Sequence, residues 1–132
     1  MMKNSKAILF MLLFVLIYVF SLLFLPDYYL FEWTARHYYL GIWLAGVALI
    51  YLKKEDEALA LAVVNIVAIL VGQFLGDYLQ KQNMLKITDQ LDNEAIYQLS
   101  KHHGVLIWIM TIVSCMIIFE IVKKLRKQQN FD

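Results

Sequence analysis

In a chain of 132 residues of which 61% are hydrophobic, the side chains able to bind, bond or exchange a proton are few enough to weigh singly. Asn65, Gln73, Asp77 and Thr111 sit inside or at the edge of long apolar runs. A polar side chain in hydrocarbon must find a partner across a helix interface or in a water-lined cavity. Two chemistries follow. Asn65 can bond to a neighbouring helix, with Thr111 or Ser114 as its expected partner, and so hold a bundle together. Alternatively, Asn65, Gln73, Asp77 and Thr111 can form a polar path for an ion or small molecule. No Asp, Glu, Lys or Arg lies at mid-depth of a predicted span, where such groups usually mark a pathway.

His37, His102 and His103 fall near predicted helix ends on one side, together with Glu32 and Asp77. Imidazole and carboxylate ligate zinc and similar ions, and two His on facing helices can hold a haem iron. A metal would have to use His37, Asp77, His102 and His103. Yet His102 and His103 are adjacent, so on a helix they diverge by about 100° and only one can point inward. We read these residues as amphipathic rings at an interface and assign no metal or cofactor. Ser114 and Cys115 are the nucleophile candidates, but His103 lies about 18 Å away along a helix at ~1.5 Å per residue. No phosphate loop, His-Glu-x-x-His motif or carboxylate pair at one depth is present, so no catalytic residue is assigned.

These side chains need helices to position them. Mean hydropathy is +0.61 and 12 basic residues nearly cancel 11 acidic ones, which excludes a soluble domain and argues against nucleic acid as a partner. The lone Cys115 makes no intramolecular disulfide. Residues 7–25 form an uninterrupted apolar run of about 30 Å at ~1.5 Å per residue, ended by Pro26, and read as an uncleaved signal anchor. An aromatic belt follows, with Tyr28, Tyr29, Phe31, Trp33, Tyr38 and Tyr39. A second helix over about 35–52 carries Gly41, Ala45, Gly46 and Ala48, and the short charged turn at 53–57 folds it back on a third over about 58–78. After a polar segment, whose part 92–101 has the pattern of a surface helix, a fourth helix runs over about 104–122 into a basic tail. There Glu120 is expected to pair with Lys123 and Lys124.

The third helix is central. Ala58, Asn65, Gly72 and Gly76 lie within about 20° of one meridian at ~100° per residue, with Ala62 and Ala68 beside it. Small side chains let two backbones approach in lipid, so Ala58, Asn65, Ala68, Gly72 and Gly76 form the expected packing seam. Its expected mate is the face of Gly104, Trp108, Thr111 and Cys115. Gly72-x-x-x-Gly76 also fits a helix-pairing motif, which in a multi-span chain is expected to serve contacts within the chain.

The resulting fold class is an all-α integral membrane protein, a four-transmembrane-helix bundle forming one domain over 1–132. Lys and Arg number eight around the termini and the 53–57 turn, against four in segments 26–34 and 79–103 with their flanks. Both termini are therefore expected in the cytoplasm, those two segments outside, and the protein in a cytoplasmic membrane. The functional expectation is an accessory or interaction subunit acting through helix contacts, with the lipid bilayer and another membrane protein or itself as partners. A homo-oligomeric transporter or channel is the alternative. A reporter fused at the carboxyl terminus should behave as cytoplasmic; extracytoplasmic activity would overturn the topology.

Overall fold

A computed structural model describes residues 5–130; of the basic residues counted above, Lys3 lies outside them. The described chain is all helical: α1 (Ser5–Phe24), α2 (Tyr29–Arg36), α3 (Leu40–Tyr51), α4 (Glu55–Met84), α5 (Asn93–Ser100) and α6 (Gly104–Gln129). Three of these, α1, α4 and α6, are long and apolar enough to cross a membrane. Every other helix packs against α4, and α6 runs antiparallel to it along most of its length.

Local chemistry explains the helix ends. Glu55, Asp56 and Glu57 occupy the first turn of α4 and Arg126 and Lys127 the last turn of α6, so charges of the favoured sign face both helix dipoles. The side chain of Asp92 accepts from Ala95 N at 2.8 Å and caps α5. Gln80 Nε2 then ties the carboxyl end of α5 to α4 by donating to Ser100 O at 2.6 Å.

Two expectations are corrected. The second helix is not continuous over 35–52. The backbone turns left-handed at Tyr38 (φ 55°) and Tyr39 (φ 48°), splitting α2 from α3. Such a conformation costs a non-glycine residue about 1–2 kcal/mol, and here tertiary contacts offset it. Tyr39 is buried, its hydroxyl 2.7 Å from Ser21 Oγ, and its ring meets Phe14 and Trp108 edge-on. Left with twelve residues, α3 spans about 18 Å, short of a bilayer core. Second, the aromatic segment is not simply a belt. Tyr29–Arg36 is helical and buries Leu30, Phe31, Thr34 and Ala35, one face of an amphipathic turn.

The ends of the long helices also move. α4 begins at Glu55 and continues past Tyr78 to Met84, because no Gly or Pro follows Asp77 to stop it; α6 continues past Val122 to Gln129. At that end Lys123 pairs with Glu57 of α4, not with Glu120, while Lys6 of α1 pairs with Asp56.

All five seam residues are buried. Ala58 and Ala62 pack with Phe10 of α1. A Cβ on Gly72 would lie 2.8 Å from Gly104 O and 2.7 Å from the Leu30 side chain, and one on Gly76 would lie on the His102 ring. By contrast, a Cβ on Gly41 would meet nothing within 4 Å. Gly72→Ile should therefore cost about 3 kcal/mol and remove the folded monomer from size-exclusion and thermal-unfolding profiles in detergent, while Gly41→Ala should cost nothing. Loss of a dimer with an intact monomer would contradict packing within the chain.

Candidate functional site

Two polar assemblies lie on α4, one at mid-length and one toward its carboxyl half. At mid-length, Asn65 is buried and its Oδ1 accepts from Trp108 Nε1 of α6 at 2.9 Å. Neither expected partner, Thr111 nor Ser114, makes this contact. Thr111 Oγ1 donates back to Ile107 O in its own helix at 2.7 Å, and Ser114 is exposed. The indole is a longer donor than a hydroxyl, so it reaches Asn65 from a position nearer the start of α6.

The second assembly joins three helices. Gln73 is almost fully buried and its Oε1 accepts from the backbone N of Leu30 at 2.7 Å. Leu30 belongs to the first turn of α2, whose N–H groups have no partner within the helix and no capping side chain. Gln73 thus caps α2 from a neighbouring helix. Its Nε2 donates to Asp77, 2.8 and 2.9 Å from the two carboxylate oxygens.

Asp77 also binds His102, with Nε2 2.9 Å from Oδ1. On the other side of the ring, Gly104 N donates to His102 Nδ1 at 2.9 Å. An acceptor role for Nδ1 puts the proton on Nε2, which donates to the carboxylate. Tyr29 covers one ring face, with centroids 4.4 Å apart. Neither ring nitrogen is then left for a substrate or metal. The arrangement resembles a base with its orienting acid, but the position where a substrate proton would sit holds a backbone N–H. It works as a clamp that fixes the start of α6 on α4.

The remaining candidates do not converge. His37 Nδ1 meets Trp33 O at 2.7 Å and its ring stacks on Trp33, with centroids 4.1 Å apart, while Glu32 pairs with Arg36. His103 precedes the first residue of α6. No three His, Cys, Asp or Glu side chains gather as a ligand set among the described residues. Cys115 is half-buried. An aromatic hollow of about 410 Å³ lies between Trp33, His37, Tyr39 and Trp108. Both hydroxyls in its lining are engaged already, Thr34 with Leu30 O at 2.8 Å and Tyr39 with Ser21 at 2.7 Å.

Pairing of the sequence-derived residues is therefore uneven. Asp77, Gln73 and His102 come together, Asn65 stands apart from them with Trp108, and Thr111 joins neither group. Leu30, Trp108 and Gly104 were not anticipated as bonding partners. The indole N–H of Trp108, on the same helical face as Gly104, was the available signal for one; backbone donors carry no signal in side-chain identity.

No family model, curated protein or solved structure matches the chain.

If Asn65 and Trp108 act as one unit, Asn65→Leu and Trp108→Phe should not add. A double-mutant cycle on unfolding in detergent should give a coupling of about 1 kcal/mol, whereas independent effects would mean the bond contributes nothing.

Proposed function

We propose that the chain is a small multi-pass protein of a cytoplasmic membrane, with both termini on the cytoplasmic side, acting as a non-catalytic accessory or interaction subunit through its helix faces. The observation that carries this reading is the pairing of its buried polar groups. Among the described residues, no buried side-chain nitrogen or oxygen lacks a partner. Asn65 and Gln73, the residues a transport path would need, are bonded to Trp108 and to Leu30 and Asp77. A path would require those bonds to break, leaving unpaired groups at a cost of about 1–3 kcal/mol each.

In this reading the α2–α3 pair makes the fourth crossing. Its two helices add about 12 and about 18 Å, together the thickness of a bilayer core. The joint between them is tolerable in lipid because its backbone is satisfied, with Tyr38 N donating to Ala35 O and Tyr39 N to Thr34 O, both at 3.0 Å. What the bundle then offers to other molecules is apolar: Leu12, Leu16, Val67, Phe74, Leu106 and Ile118 are all more than half exposed. Such faces meet lipid or the helix of another membrane protein.

A native mass spectrum of the protein extracted gently from its own membrane tests the reading. A stoichiometric foreign membrane subunit is the expected result. A bare homo-oligomer would overturn it in favour of transport, with Asn65→Leu the variant to measure for loss of flux.

A further inference from the structure

The described bundle carries a groove of about 620 Å³ at the end where α1 begins and α6 finishes. Its wall and floor are apolar, formed by Leu59, Val63, Val64, Phe119 and Val122, and its rim carries Lys6, Lys123 and Arg126 together with Asp56, the carboxylate paired with Lys6. The volume falls within the roughly 300–1,000 Å³ of clefts that hold small ligands. We propose that this groove is a binding site for one anionic phospholipid, its phosphate on the basic rim and an acyl chain against the apolar wall.

Charge and direction carry the argument. Lys6 pairs with Asp56, and Lys123 with Glu57 at 2.5 Å, so two of the three cations are held in place by α4 while keeping exposed surface. Arg126 enters no ion pair among the described residues and lies one turn beyond Val122 on the same wall. Its planar, forked donor set matches a phosphate. Val63 lies seven residues into α4 from Asp56, about 10 Å at ~1.5 Å per residue, so the apolar wall descends from the charged rim along the helix axes. That is the shape of a lipid, charged at one end and extended below, and basic pockets between membrane helices take anionic headgroups.

A second copy of the chain fits the groove poorly. Two copies with one orientation in a membrane would bring this end of one against the same end of the other. Each would then present Lys6, Lys123 and Arg126 to the other's identical rim. Within each copy Asp56 and Glu57 offset the charge of Lys6 and Lys123, so the charge left to repel is that of Arg126 on each rim.

The experiment uses the full chain in detergent and native mass spectrometry after adding phosphatidylglycerol or phosphatidylcholine with the same acyl chains. Wild type should retain phosphatidylglycerol about five-fold more than phosphatidylcholine. Arg126→Gln should remove most of that preference, and Val63→Trp, which fills the wall, should lower retention of both lipids. Both positions are exposed, so thermal unfolding should match wild type. Lys86→Gln, outside the groove, should behave as wild type. Equal retention of the two lipids by wild type, or an Arg126→Gln result equal to that of Lys86→Gln, would overturn the site. So would a dimer abolished by Val63→Trp while lipid adducts persist.

Discussion

Where Gly104 of α6 meets Gly72 and Gly76 of α4, no side chain separates the two backbones, and a methyl group at any of the three would fall within 3.0 Å of an existing atom. In lipid this approach matters more than in water, because apolar side chains gain little from hiding and close packing must supply the attraction. The polar bonds depend on it. Trp108 lies one turn beyond Gly104 and so comes level with Asn65, His102 is folded back over Gly76, and Asp77 becomes the acceptor for its ring. If α6 stood a side chain's width farther away, the 2.9 Å bonds from Trp108 and His102 would both be lost. The polar groups do not create the bundle; they fix the register of a contact that the glycines permit.

The same dependence explains what the sequence discloses. Small residues recurring on one meridian of the third helix are a local pattern, and their burial requires only that the helix be straight and central. The break at Tyr38 and Tyr39 is different in kind. Tyrosine is no turn residue, and nothing within the segment prefers a left-handed backbone. The bend exists because Ser21, Phe14 and Trp108 hold the Tyr39 side chain, and those partners lie on two other helices. Apolar periodicity reports a face but not a remote hydroxyl, so a single continuous helix is the natural reading of 35–52.

The bonding partners show a similar division. Asn65, Gln73, Asp77 and His102 stand out because polar residues in an apolar chain must be paired. Which partner each takes depends on reach and on backbone donors freed at helix starts. Gln73 bonds to Leu30 N only because α2 begins there, and α2 itself is inconspicuous among the aromatic residues. His102 accepts from Gly104 N because the chain turns into α6 at that point. In both cases a side chain satisfies the exposed start of another helix, where membrane surroundings supply little water to do so.

The two ends of α4 are consequently unlike. Toward its carboxyl half, hydrogen bonds from α2 and from the chain before α6 converge on Gln73 and Asp77, with Gln73 and the His102 ring buried and the Asp77 carboxylate partly open. At its start, Asp56 and Glu57 each hold one lysine of a neighbouring helix, and those pairs stay partly open. The exposed pair of Lys6 and Asp56 contributes little to stability, typically ~0–1 kcal/mol, whereas Glu57 is buried beneath Lys123. Both pairs also have a positional consequence: they set Lys6 and Lys123 on the rim of an apolar groove whose wall is formed by α4 and α6. The side chains that form this wall, Leu59, Val63, Val64, Phe119 and Val122, are already exposed or half-exposed, so a chain lying on it would leave the contacts that fold the bundle undisturbed.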